Sequence, residues 1–174
     1  MSFCDLALDC VTRLHPYVPG KPIEELEREL GITDIVKLAS NENPLGPSEK
    51  VLAAIAQASK ELTRYPDGNG FALKAAIATQ YQLNVDQITL GNGSNDVLEL
   101  LARAFVSPED EVIFSQYAFA VYPIVTQAVG AKAVIAPARD YGHDLQAMSR
   151  LISNKTKLIF IANPNNPTGT FLEA

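Results

Sequence analysis

The feature that most constrains the fold is an alternation of short apolar segments with helical segments over the second half of the chain. The pattern predicts strands at 87–91, 111–115, 132–136 and 156–162, separated by helices at 94–105, 118–129 and 145–152. The last strand contains the run KLIFIA, which is apolar on both faces, as expected where helices cover both sides of a sheet. Alternation of this kind predicts an α/β fold, a three-layer α/β/α domain with a largely parallel sheet.

The first half of the chain is predicted to be an arm followed by helices and loops. Residues 1–20 are expected to be irregular, because the prolines that follow Leu14 prevent one continuous helix. Cap and stop signals then predict the remaining elements. They are a short helix from Pro22 to Gly31, a strand at 35–39, a loop at 40–47, a helix from the Ser48 cap to about Leu62, a turn at 65–68 and a helix at 71–83.

Composition and charge narrow the class of partner. The 174 residues carry a net charge of −6 and no run of Lys or Arg, which weighs against nucleic acid or an anionic membrane as the main partner. The sequence shows no secretory signal pattern and no apolar stretch of about 18 residues, so we expect a cytoplasmic protein without a transmembrane helix. Two cysteines and two histidines match no common ligand spacing, and no metal is expected.

A glycine turn between the first predicted strand of the alternation and its helix is a candidate anion site. Gly91 and Gly93 permit a tight turn and close approach of the backbone to a ligand. The amides of Ser94 and Asn95 would then open a helix, where unpaired N–H groups and the helix dipole favour an anion. An ordinary glycine turn with a polar cap explains the same residues. The turn is neither a P-loop nor a dinucleotide fingerprint, since Asp96 stands where a third glycine is required.

A second unusual loop, NPNNPTG at 163–169, follows the last predicted strand directly. Each X-Pro step restricts the backbone to extended or turn conformations, so the side-chain amides lie on a stiff loop at the carboxyl end of a strand. An amide there can donate a hydrogen bond to an oxygen of a bound ring and accept another. Open α/β sheets bind ligands at this edge.

These two loops resemble motifs of the class I/II aminotransferases, enzymes of fold-type I that depend on pyridoxal 5′-phosphate. The run at 163–169 resembles their Asn-Pro-x-Asn-Pro-Thr-Gly signature, and GNGSND at 91–96 resembles their phosphate cup. Further stretches resemble the histidinol-phosphate branch of the family. They are LHPY at 14–17, PGKP at 19–22, LASNENPLGP at 38–47 and RYPDG at 64–68.

The resemblance covers essentially the whole chain and implies a domain plan. The fold implied is part of a PLP-transferase large domain of the aspartate aminotransferase type, preceded by an N-terminal arm. Residues 1–35 would form the arm and a short helix that belongs to a small domain. Residues 36–174 would form an incomplete PLP-binding large domain.

The resemblance also implies roles for residues around the cofactor. The amides of Ser94 and Asn95, with the Ser94 hydroxyl, would hold its 5′-phosphate, and Asn166 would donate to the 3′-oxygen of the ring. Phe119 would stack on the ring, with Tyr117 as the second choice. The family usually has a tyrosine at the position of Phe119, so a hydroxyl contact would be lost.

Three more residues have implied roles in the dimer and on the substrate side. Tyr65 would reach the cofactor phosphate of a partner subunit, while Tyr17 and Asn43 would line the substrate side. Core packing is the alternative for Phe119 and Tyr122, and a surface position is the alternative for Tyr65.

The activity implied is PLP-dependent transamination of histidinol phosphate with 2-oxoglutarate in histidine biosynthesis, by a homodimer whose ligands are an amino-alcohol phosphate and a 2-oxo acid. In the family, the Schiff-base lysine lies beyond the Asn-Pro loop. None of the eight lysines here has the Ser-Lys setting that the family uses, so no catalytic residue is assigned and the 174 residues alone are expected to be inactive.

Two other readings remain open from the sequence. One is a different enzyme of the same fold: an aromatic or broad-range aminotransferase, or a phosphothreonine decarboxylase-like enzyme. The other is a non-enzymatic truncated remnant that acts at most as a dimerisation or binding module. A nucleotide-binding domain is disfavoured, because the required glycine and Gly-Lys-Ser/Thr motifs are missing.

Overall fold

The computed structural model describes residues 6–173, which form two compact units. One unit consists of residues 18–89, and the other combines 6–17 with 90–173. This grouping reflects contacts within the described residues. The domain boundary predicted after residue 35 stays a prediction.

The larger unit is built on a parallel sheet. Among residues 6–173 the sheet has three strands in the order β2-β1-β3, where β1 is Glu111–Ser115, β2 is Lys132–Ala136 and β3 is Thr156–Ile159. The predicted bounds of β1 and β2 are confirmed. The strand predicted at 156–162 ends at Ile159, although the amide of Phe160 still donates to the Ile113 carbonyl at 2.9 Å.

Helices cover both faces of this sheet, which confirms the three-layer α/β arrangement. Three of them are α5 (Ser94–Phe105), α6 (Val121–Ala128) and α7 (Leu145–Arg150). Val112 and Phe114 point from β1 into a core shared with α5 and α6, while Ile113 points to the opposite face, against Met148 of α7. All five residues of β1 are buried, as expected for a central strand covered on both sides.

The N-terminal arm contributes one short helix to the same unit, α1 (Asp9–Thr12). It lies within the segment expected to be irregular. The side chain of Gln127 donates to the Cys10 carbonyl at 3.1 Å, and α1 contacts α6. Because α1 is a single turn, these contacts rather than helix propensity hold it in place.

The unit formed by 18–89 is helical. It contains α2 (Ile23–Leu30), α3 (Glu49–Ala58) and α4 (Phe71–Tyr81), with short 3-10 helices at Ser59–Glu61 and Val85–Gln87. Ser48 caps α3 as predicted, since its hydroxyl oxygen accepts the amide hydrogen of Val51. The longest helix of the described residues, α5, has 12 residues, and none is long and apolar enough to cross a membrane.

Two predicted strands are wrong. Residues 35–39 and 87–91 form no strand in the structure. A strand needs a neighbour for its backbone N–H and C=O groups, and no described strand pairs with either segment. Around Gln87 a local alternative prevails, since Asn84 and Gln87 form a reciprocal capping box that closes a 3-10 turn.

Other bounds differ by a few residues. Helix α6 begins at Val121 rather than 118, and α3, α4 and α7 end before Leu62, Leu83 and Ile152. The turn predicted at 65–68 is centred later, since Gly70 donates to the Asp67 carbonyl. The Asp67 carboxylate also accepts the amide hydrogens of Asn69 and Phe71, and these bonds lower its pKa below the ordinary value.

Candidate functional site

The loops that follow the three strands meet at the carboxyl edge of the sheet. They span residues 116–120 after β1, 137–144 after β2 and 160–172 after β3. The side-chain amide of Asn165 in the third loop donates to the carbonyl of Tyr117 in the first, at 3.0 Å. Parallel strands bring their carboxyl ends to one edge, so loops distant in sequence become neighbours here.

The loop after β2 is joined to both of the others. The rings of Tyr117 and Tyr141 lie 5.2 Å apart between centroids, and the Thr170 hydroxyl donates to the Tyr141 carbonyl at 3.4 Å. The buried His143 has its Nε2 2.8 Å from the Ala162 carbonyl, and because a carbonyl oxygen can only accept, Nε2 carries a hydrogen and donates it. Hydrogen bonds and a ring contact therefore join the three loops at the carboxyl edge of the sheet.

Helix α5 places its N-terminus at the same edge. It packs against β3 and α6, and residues 106–110 connect its C-terminal end to the start of β1. It therefore runs antiparallel to the strands and returns its first turn to their carboxyl ends. Ser94 and Asn95, the first two residues of α5, are both exposed there. The N-cap is Gly93, with φ 96° and ψ 170°, so no side chain caps the amides of this turn.

Close packing beneath the glycine turn explains the choice of Gly91. A Cβ atom at Gly91 would lie 2.9 Å from Cγ2 of Val97 and 3.0 Å from Oδ2 of Asp96. The same carboxylate oxygen accepts the amide hydrogen of Asn92 at 3.0 Å. The Asp96 carboxylate thus stabilises the turn through its hydrogen bond with the Asn92 amide. The glycine turn is therefore closely packed on its inner side, and the exposed residues Ser94 and Asn95 follow it.

The three asparagines of the Asn-Pro loop differ in exposure and in hydrogen bonding. Asn165 is 4% exposed, whereas the next residue, Asn166, is exposed. Asn163 is used internally, since its Oδ1 accepts from the Leu172 amide at 2.8 Å and its Nδ2 donates to the Leu172 carbonyl at 3.1 Å. Asn166 is therefore the exposed asparagine of the loop that has no such internal bonds among the described residues, and its predicted contact with a ligand stays a prediction.

The aromatic candidates divide between core and edge. Tyr122 is buried and stacks on Phe160 at 4.5 Å, so it belongs to the core, and burial raises the pKa of its hydroxyl. Phe119 is partly buried and packs against the same core. Its ring also meets Tyr17 edge to face at 6.2 Å, which brings together two residues predicted for the cofactor and the substrate. Tyr117, the second choice, is 40% exposed.

The remaining predicted site residues lie in the unit formed by 18–89. Tyr65 is fully exposed, which suits both a contact with a partner subunit and the alternative of a surface aromatic. Asn43 lies in the predicted loop, where its Oδ1 accepts from the Leu45 amide and its Nδ2 donates to the Gly46 carbonyl. Its side chain therefore shapes its own turn.

Sequence reasoning missed the buried residues that hold the edge together. Asn165 and His143 are both at least nine-tenths buried, and each keeps one polar atom, Oδ1 and Nδ1 respectively, without a partner among the described residues. Three asparagines within four positions gave no signal for which one is internal. The histidine stands alone in sequence, and only the pairing of β1 with its neighbours brings it to Ala162. Within residues 6–173, no group of three His, Cys, Asp or Glu side chains could hold a metal ion.

Comparison with known proteins shows which family the chain resembles. The sequence profile of the family described as aminotransferase class I and II matches residues 33–174. Histidinol-phosphate aminotransferase 2 of Pseudomonas fluorescens Pf-5 is 62% identical over 99% of this chain, which spans 47% of that protein. Histidinol-phosphate aminotransferase 1 of Idiomarina loihiensis is 64% identical over 93% of the chain and is covered to 44%.

A solved structure agrees with these sequence matches. The histidinol-phosphate aminotransferase from Sinorhizobium meliloti, in complex with pyridoxal 5′-phosphate, superposes with a TM-score of 0.85 at 28% identity. The match covers 95% of this chain and 44% of that protein. The chain spans about half the length of the curated relatives that it matches.

Proposed function

The chain belongs to the class I and II aminotransferases, and from that premise we propose that the full-length protein is a pyridoxal-phosphate-dependent aminotransferase. We propose histidinol phosphate as its amino donor and 2-oxoglutarate as the acceptor, in histidine biosynthesis. The main support for this substrate assignment is that the chain is more than 60% identical to histidinol-phosphate aminotransferases over nearly its whole length. The site geometry supports the cofactor.

The glycine turn suits the phosphate group of that cofactor. No side chain occupies the N-cap of α5, and Ser94 and Asn95 are exposed residues of its first turn. We assign the 5′-phosphate to these two amides and to the Ser94 hydroxyl. The helix dipole and the unpaired N–H groups stabilise a dianion there. The bound coenzyme supplies an electron sink that makes the Cα–H bond of the amino substrate acidic.

Asn166 and Phe119 would orient the ring. Asn166 is exposed, so its side-chain amide could donate to the 3′-oxygen of the ring, and we assign the ring face to Phe119 in the loop after β1. Phenylalanine has no hydroxyl, so its contribution is limited to contact with the ring face and exclusion of water. Tyr17, which touches Phe119, would continue this apolar wall towards the substrate.

The residues of the other unit have proposed roles that depend on a second subunit. We propose that the full-length protein is a homodimer in which Tyr65 reaches the partner's cofactor phosphate, and that Asn43 lies on the substrate side. The complete exposure of Tyr65 leaves it accessible to a partner subunit, as the first assignment requires. The cytoplasmic location stays a prediction.

Cofactor binding by the full-length protein tests the site. Ser94→Ala and Asn166→Ala should each raise the dissociation constant for pyridoxal phosphate by about tenfold or more, since each removes a hydrogen bond to a charged group. Ser149→Ala is the matched control, because Ser149 is exposed on α7, away from the edge. Wild-type affinity in both site variants would refute the assignment.

Amino transfer tests the substrate. The full-length protein should transaminate histidinol phosphate with a higher kcat/KM than phenylalanine. A preference for phenylalanine would instead support the aromatic or broad-range alternative. Absence of transfer to 2-oxoglutarate from either donor would contradict the enzymatic proposal.

A further inference from the structure

The buried Asn165 is placed to control its exposed neighbour. Its Nδ2 donates to two acceptors, the Tyr117 carbonyl at 3.0 Å and the Thr168 hydroxyl at 2.8 Å. A carbonyl oxygen can only accept, so this contact fixes which end of the amide is nitrogen. One side chain therefore joins the loop after β3 to the loop after β1.

The backbone of Asn165 closes the loop in which Asn166 lies. Its amide donates to the Thr170 carbonyl at 2.7 Å, and its carbonyl accepts from the Gly169 amide at 2.8 Å. These bonds make residues 165–170 a closed loop with Asn166 on its outer part. Four hydrogen bonds hold Asn165, two through its side chain and two through its backbone, and they restrain the backbone at which Asn166 begins.

Tyr117 lies in the same loop as Phe119, the residue assigned to the ring face. Within the loop after β1, the Ala118 amide donates to the Ser115 carbonyl at 3.1 Å and the Tyr122 amide donates to the Phe119 carbonyl at 3.0 Å. These bonds fix Phe119 between the end of β1 and the start of α6. Tyr117 lies two residues before Phe119 in this loop, so a shift at Tyr117 would also move Phe119 relative to Asn166.

We propose that Asn165 is a positioning residue, which sets the spacing between Asn166 and Phe119 by holding their two loops together. This inference rests on the proposed function, because those are the residues assigned to the edge and the face of the cofactor ring. Asn165 itself does not contact the cofactor in this proposal. Its effect on binding must therefore pass through Asn166 and Phe119.

Asn165→Asp in the full-length protein tests the proposal. The substitution keeps the shape but replaces the donor with a carboxylate that faces the Tyr117 carbonyl. At pH 8 we expect the dissociation constant for pyridoxal phosphate to rise about tenfold. The circular dichroism of the bound coenzyme should also change, because that signal reports ring orientation. Asn154→Asp, at an exposed turn before β3, makes the same charge change and should alter neither quantity.

A double-mutant cycle with Asn166→Ala separates positioning from general packing. Because part of the effect passes through Asn166, the tenfold effect of Asn165→Asp should become clearly smaller once Asn166 is alanine, with the share that passes through Phe119 remaining. An unchanged affinity in Asn165→Asp overturns the proposal. So does the same factor in both backgrounds, which indicates a packing role alone. Wild-type affinity in Asn166→Ala by itself overturns the assigned role of Asn166, and the positioning role fails with it.

A second variant keeps the test decisive if Asn165→Asp does not fold. Thr168→Val is nearly isosteric and removes one of the two acceptors of the Asn165 amide. It should weaken cofactor binding in the same direction by a smaller factor, and the coenzyme signal should change as well. Wild-type values for both quantities would overturn the proposal.

Discussion

Replacing Gly93 with alanine tests whether the backbone conformation of the glycine turn before α5 is needed for cofactor binding. Gly93 has φ 96° and ψ 170°, a combination that is essentially restricted to glycine. A Cβ atom added there would meet no other atom within 4 Å, so the substitution introduces no clash. Any effect of Gly93→Ala must therefore come from backbone strain.

The expected magnitude follows from that conformation. Holding alanine in such a region costs about 1–3 kcal/mol. Without ligand, the turn can relax to negative φ and reorient the amides of Ser94 and Asn95. Cofactor binding must then restore the strained turn, so the dissociation constant for pyridoxal phosphate should rise by about tenfold to hundredfold.

Fluorescence titration of the full-length apoprotein with pyridoxal phosphate measures this, together with urea unfolding of the apoprotein. Gly68→Ala is the matched control, since Gly68 has no positive φ and open space around its Cα. That change should leave binding unaltered and stabilise the protein by about 0.4–1 kcal/mol at most. If Gly93→Ala keeps both the wild-type affinity and the wild-type free energy of unfolding, the argument from backbone geometry is wrong.

Three further substitutions probe the scaffold, each by urea unfolding. Tyr122→Ala removes a buried ring stacked on Phe160 and should lower the free energy of unfolding by about 3–5 kcal/mol, while Tyr122→Phe should cost far less; equal losses would contradict the stacking argument. Ser48→Ala removes the cap of α3 and should cost about 1 kcal/mol, which Ser48→Asp should restore. Hydrogen bonding to Lys132 lowers the pKa of Glu111, so its contribution to stability is present above the unfolded-state pKa, about 4.3, and is lost as pH falls through the lowered folded-state value. Glu111→Gln should therefore flatten the loss of stability in acid, and an unchanged pH profile would count against that coupling.

The sequence was sufficient to predict secondary structure where a segment's own residues determine its conformation. The bounds of α5, β1 and β2 were predicted to the residue, because each has turn or cap residues at its ends and an apolar pattern that only one kind of element satisfies. The two candidate binding loops could also be located from the sequence, because glycines beside a helix start and prolines beside asparagines restrict the backbone locally. Ser94, Asn95 and Asn166 are exposed in the structure, and their roles in binding stay predictions.

Tertiary structure decided whatever depends on a partner distant in sequence. The apolar patterns at 35–39 and 87–91 predicted strands, yet a strand forms only where another strand satisfies its backbone, and no described residues do so. The same reason explains Asn165. Adjacent asparagines have identical chemistry, and only the parallel pairing of β1 with β3 brings Tyr117 within 3.0 Å of one of them. Hydrogen bonds across the sheet edge, which no local pattern encodes, made one asparagine a structural residue and left its neighbour exposed.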